Sequence, residues 1–97
     1  MTYDQMTRSA ENVLVEFYAT WCPHCRAMEP AVDEISEMLE GQVKIVKLDV
    51  DQNADASEAE DVTGTPTFIL YRNGRKVWRV SGEMPGDVLL NKITSHI

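Results

Sequence analysis

Apolar residues recur along this chain with two periods, one of strands and one of helices. Val13 to Ala19 ("VLVEFYA") is almost continuously apolar and rich in branched and aromatic side chains, which predicts a strand covered on both faces and hence a central one. From Cys22 to about Leu39 the apolar residues Met28, Ala31, Val32, Ile35, Met38 and Leu39 recur at helical spacing. Glu29, Asp33, Glu34 and Glu37 fill the opposite side. This predicts a long amphipathic helix, ended by Gly41 and kinked at Pro30, whose ring and missing N–H disturb a helix interior. Val43 to Val50 ("VKIVKLDV") predicts a second strand, and the strand, helix, strand order implies a parallel pair joined by a right-handed crossover.

The remaining segments are shorter. Tyr3 to Glu11 predicts a helix with Tyr3, Met6 and Ala10 on one face, and Asn53 to Asp61 a short acidic helix. Thr67 to Arg72 and Lys76 to Ser81 flank Asn73-Gly74, which supplies the positive φ angles of a tight hairpin, so these two strands pair antiparallel. Asp87 to Ile97 follows Pro85 and Gly86 and puts Leu89, Leu90, Ile93 and Ile97 on one helical face. The expected order is α, β, α, β, α, β, β, α.

Both cysteines of the chain, Cys22 and Cys25, fall where the central strand gives way to the long helix. A bridge between them closes too small a ring to restrict the unfolded chain much, so stapling does not explain the pair. A structural zinc site needs four ligands, and neither His24, wedged between the cysteines, nor the lone His96 completes one without a second chain. Buried packing is a further reading, but reversible thiol and disulfide chemistry suits this spacing beside a βαβ pattern better. Cys22, at the amino end of the helix, is where free N–H groups and the helix dipole favour a thiolate, which makes it the expected nucleophile. Cys25, one turn further in, is placed to attack a mixed disulfide at Cys22 and resolve it. Pro23 fits the first helical turn, where its missing N–H has no intrahelical partner. His24 titrates near neutrality and would add positive charge beside the thiolate, unless it is a plain surface histidine.

Length and charge narrow the setting. Ninety-seven residues fit one domain over 1–97, and a composition of 43% hydrophobic and 26% charged residues gives no sign of disorder. A formal charge of −7 opposes nucleic acid and anionic membranes as partners. No apolar run approaches the roughly 20 residues of a membrane helix. Met1 to Asn12 has no leader-like pattern, so the sequence as written is expected in the cytoplasm.

From Val13 onward, the segments "VLVEFYATWCPHC", "KLDVDQN", "TGTPTF", "RNG" and "SG" resemble the thioredoxin family. The resemblance implies an α/β fold with a four- or five-stranded mixed sheet sandwiched by helices. Because only twelve residues precede the central strand, four strands are expected, the family's first being absent and Val43 to Val50 left at an edge. Glu16, costly in a covered strand unless paired or protonated, resembles the family's buried acid that moves the proton of the second cysteine. It is one methylene longer than the usual aspartate, and Lys47 matches the lysine beside it. Pro66 would be trans by base rate, but "Gly64-Thr65-Pro66" resembles the loop that faces the dithiol with a cis proline and offers backbone to substrate. Thr65 stands where an aliphatic residue is frequent. Trp21 would shelter the cysteines, and Trp78 would pack.

What the resemblance implies is a reductase of protein disulfides that works by dithiol exchange, without metal or organic cofactor. An NADPH-dependent flavoprotein thioredoxin reductase would recycle it, and Lys44 and Lys47 would guard its edge strand and keep it monomeric. Pro23-His24 between the cysteines resembles instead the periplasmic disulfide-forming oxidases, which leaves an oxidant or isomerase as the alternative. An interaction module with an incidental dithiol is a third reading, opposed by the intact Cys22, Cys25 and Pro66.

Overall fold

In the computed structural model, which describes residues 1–97, α1 (Tyr3–Thr7) is followed by β1 (Asn12–Tyr18), α2 (Pro23–Met38), β2 (Lys44–Asp49), α3 (Ala54–Ala59), β3 (Thr67–Arg72), β4 (Arg75–Ser81) and α4 (Gly86–Thr94). The strands form one mixed sheet in the order β2-β1-β3-β4. β1 pairs with β2 in parallel and with β3 antiparallel, and β3 pairs with β4 antiparallel. The element order and the four-stranded mixed sheet are those the sequence predicts. No strand precedes β1, and β2 lies at an edge. The two-residue loop Asn73-Gly74 has φ of 53° and 80°, which carries the tight turn.

Alternation along the central strands divides the core. Leu14, Phe68 and Leu70 face α2 and α4, where they pack with Met28, Val32, Ile35, Leu89 and Ile93. Val13, Val15, Phe17, Ile69 and Tyr71 face the other way and pack with Met6 of α1. Burial of β1 on both sides explains its unbroken apolar run. Glu16 shares the α2 face with Leu14, and it is the one carboxyl group of β1.

Helix ends differ from expectation for local reasons. α1 stops at Thr7 rather than Glu11, because Thr7 Oγ1 donates to the Asp4 carbonyl and Ser9 Oγ to the Met6 carbonyl, where the next helical turn would have placed N–H groups. α4 stops at Thr94 rather than Ile97, where Thr94 Oγ1, Ser95 Oγ and His96 Nδ1 take up the carbonyls of Leu90 and Lys92. α2 runs unbroken through Pro30. Trp78 is half-buried against the larger core and stacks on His96 at 6.3 Å between ring centroids. No helix is long and apolar enough to cross a membrane.

Candidate functional site

β1 delivers the chain at Tyr18 to a short bend, and α2 begins five residues later, so the start of α2 stands at the carboxyl end of the central strand. Cys22 is the N-cap of α2. Its Sγ accepts a hydrogen bond from the Cys25 N–H at 3.3 Å, the place a serine or aspartate oxygen takes in other helices. Pro23 occupies the first turn, where no N–H is missed. Both cysteines are free thiols, buried in a small cluster with Ala19.

Across from them lies the loop Gly64-Thr65-Pro66, with a cis Thr65–Pro66 bond. Cys22 Sγ donates to the Thr65 carbonyl at 3.4 Å, and the Thr65 N–H makes no hydrogen bond within the chain. Trp21, expected to shelter the dithiol, turns its indole toward Asp51. It is 64% exposed, with its indole N–H donating to Asp51 Oδ2 at 3.1 Å. It forms one wall of a small groove of about 150 Å³, with Val62, Gly64 and Thr65 on the other side.

The two thiols are unequal. Burial pushes the Cys22 thiol up, but hydrogen bonds from the Cys25 thiol, the Thr65 side chain and the backbone N–H groups of Cys25 and His24 outweigh it, bringing the group down to about 7. At Cys25 burial raises the thiol, and its hydrogen bond to Cys22 raises it further. Near neutral pH Cys22 is therefore the thiol that ionises, while Cys25 stays protonated.

The imidazole of His24 is not among the groups that touch Cys22. It is exposed, and its Nδ1 meets Glu83 Oε1 at 2.9 Å, a hydrogen bond that raises its pKa. Glu83, in the turn between β4 and α4, carries no sequence signal that joins it to the cysteines. His24 contributes to Cys22 through its backbone N–H.

Behind Cys25 a cavity of about 330 Å³ is lined by Glu16, Lys47, Cys25 and Glu29 among others. Glu16 is only 3% exposed. It stands in register with Lys47 of β2, yet the Lys47 ammonium bonds Asp33 Oδ1 at 2.8 Å instead. Glu16 makes no hydrogen bond to Cys25, but the shared cavity is polar and roomy enough for water to link them. Burial pushes the Glu16 carboxyl up to about 7, against the pull of Lys47, and the Glu29 and Asp33 carboxylates add to the rise. Glu29 and Asp33 lie four apart on the helix that carries Cys25, a spacing visible in the sequence. No group of three or more His, Cys, Asp or Glu side chains is placed to hold a metal ion.

Comparison with known proteins agrees with this geometry. The family model described as Thioredoxin matches residues 1–95. A thioredoxin of Synechocystis sp. is 38% identical over 85 residues, covering 88% of this chain and 79% of that protein. The chloroplastic thioredoxin Y of Oryza sativa subsp. japonica is 35% identical over 97 residues, covering 99% of this chain, which spans 58% of the rice protein's length. Among solved structures, a Plasmodium falciparum thioredoxin superposes with a TM-score of 0.89 at 30% identity, covering 98% of this chain and 91% of the other. The Fasciola hepatica thioredoxin gives 0.85 at 33%, with coverages of 96% and 86%.

The buried carboxyl has a consequence for stability. With Glu16 at about 7 in the folded chain and 4.5 as its ordinary value, the folded state binds more protons than the unfolded one between those limits, so stability falls as pH rises through the window. The gap corresponds to about 3 kcal/mol. Urea denaturation from pH 4 to pH 8 should show the parent losing about that much relative to Glu16→Gln. A difference between parent and variant that stays flat across this range would mean that the Glu16 carboxylate is not desolvated.

Proposed function

This chain belongs to the thioredoxin family and is a thiol-disulfide oxidoreductase, and we propose that it works in the reducing direction on protein disulfides. The observation that carries the reading is the Cys22 sulfur capping α2: four backbone and side-chain donors converge on it, while Cys25 is held as a thiol one turn away.

The Cys22 thiolate attacks one sulfur of a substrate disulfide. A Cys22–substrate S–S bond forms, and the other substrate sulfur leaves as a thiolate that takes up a proton. Cys25 then passes its proton through cavity water to Glu16, and its thiolate attacks the Cys22 sulfur. The Cys22–Cys25 bond forms, the mixed disulfide breaks, and the second substrate thiolate departs. Two electrons have moved from the dithiol to the substrate. The free Thr65 N–H and the groove beside Trp21 suit an extended substrate segment, bound by backbone contacts.

His24 supports the reducing direction over the oxidising one. An uncompensated imidazolium beside Cys22 would stabilise the dithiol form and make the protein more oxidising, but Glu83 opposes that charge at 2.9 Å. On this reading an NADPH-dependent flavoprotein thioredoxin reductase returns the Cys22–Cys25 disulfide to the dithiol, in a reducing compartment such as the cytoplasm. The chain works as a monomer: β2 is the edge strand, and Lys44 and Lys47 put charge along it that discourages pairing with a second chain. Sedimentation at micromolar concentration should give one species of 11.0 kDa; a tight dimer would contradict this.

The function is tested with insulin as substrate and NADPH with thioredoxin reductase as electron source. The parent should turn over, Cys25→Ser should accumulate a mixed disulfide with insulin, and Cys22→Ser should form almost none. Trapping by Cys22→Ser in place of Cys25→Ser would reverse the assignment of the two cysteines. A parent that traps substrate but oxidises dithiols faster than it reduces disulfides would favour the oxidant.

A further inference from the structure

Glu16 and Lys47 are partners in the register of two parallel strands, and both line the cavity behind Cys25. Such neighbours would ordinarily form an ion pair, and a carboxylate held by an ammonium is a weak base. Here the pair is broken by a third group. Asp33, on the α2 face above β2, takes the Lys47 Nζ at 2.8 Å, in a contact at the protein surface where Lys47 is 34% and Asp33 63% exposed. Glu16 is left buried without a hydrogen bond or ion pair.

We propose that Asp33 is a positioning residue for the resolving step: by holding the Lys47 ammonium at the surface, it keeps Glu16 free of a counter-ion and so a strong enough base to take the Cys25 proton. The inference rests on the proton route proposed above. It assigns a task to a side chain that touches neither the cysteines nor the substrate groove.

The groups that face Glu16 limit the alternatives. Lys47 approaches from β2, Cys25, Arg26, Glu29 and Asp33 from α2, and Tyr18 from its own strand, while β3 presents Phe68 in register. Lys47 and Arg26 are the only cations in this set, and the Arg26 guanidinium donates to the Thr20 carbonyl at 2.9 Å. Lys47 is thus the cation whose position decides the charge felt by Glu16. Burial is what raises Glu16, and Lys47, which is not in direct ion-pair contact with it, offsets only part of that rise.

Cys25 S–H gives its proton to the Glu16 carboxylate, the Cys25 thiolate attacks Cys22, and the protonated Glu16 later returns the proton to water through the cavity. A weaker base at Glu16 slows the first of these events and leaves the initial attack by Cys22 untouched.

The experiment is a carboxyl titration of Glu16 by carbon-13 NMR on the reduced protein, combined with single-turnover measurement of mixed-disulfide resolution. Four proteins are compared: the parent, Asp33→Asn, Lys47→Gln and the double variant. In Asp33→Asn the freed ammonium turns to Glu16, so the Glu16 midpoint should fall by about one unit, and resolution should slow about threefold with its pH profile moved down by the same amount. Asp33→Glu should restore both. In the Lys47→Gln background, adding Asp33→Asn should lower the midpoint much less than in the parent, since only the direct effect of the Asp33 charge remains. An unmoved midpoint in Asp33→Asn overturns the proposal, and so does an equal fall with and without Lys47, which would make Asp33 a bare charge acting at a distance. A parent that reduces no disulfide would instead sink the functional reading, and the titration alone would still decide the placement of Lys47.

Discussion

Everything in this molecule is arranged around the first turn of α2. A helix start leaves N–H groups without partners, and here the cap is a sulfur rather than an oxygen. Cys22 Sγ accepts from Cys25 N–H, so the same contact that begins the helix also stabilises the thiolate. Its geometry depends on β1, which ends four residues earlier and is fixed by burial on both faces. It depends equally on the Thr65 loop, whose carbonyl accepts from the same sulfur. Two cysteines one turn apart become chemically unequal because only one of them stands at the helix end.

Around this turn, three polar side chains are each engaged by an acidic partner from another element. Trp21 donates to Asp51, His24 meets Glu83, and Lys47 meets Asp33. In two of the three, a cation that could have acted on the reacting groups is turned toward an exposed carboxylate. The negative charge of the chain thus has a local meaning at the site. It moderates the positive charge near Cys22 and keeps Lys47 out of direct contact with Glu16, so that the helix end governs the thiol and burial outweighs Lys47 at the carboxyl.

How much of this the sequence discloses depends on the range of the forces involved. The central strand, the hairpin at Asn73-Gly74 and the amphipathic α2 are legible because burial and turn chemistry write themselves into neighbouring residues. The nucleophile is legible because a helix N-terminus is a local feature. Helix ends are harder: α1 and α4 are cut short by hydroxyl and imidazole groups that compete for carbonyls, and a count of apolar positions does not register this. Glu16 stands out as an ionisable residue in an apolar strand, whereas Asp33 looks like any residue on the wet side of α2. The place of Lys47 depends on where α2 lies over β2. Glu83 is further still from prediction, since it reaches His24 only because β4 returns to the dithiol end of the sheet. Trp21 shows that apolar character alone does not say which way a side chain turns.

Whether capping by Cys22 divides the two thiols can be read from a carbon-13 NMR titration of both cysteine Cβ atoms in the reduced protein. Cys22 should ionise near pH 7 and Cys25 above the ordinary thiol range of about 8.5. Ionisation of Cys25 first, or of both thiols together near their ordinary value, would contradict that division.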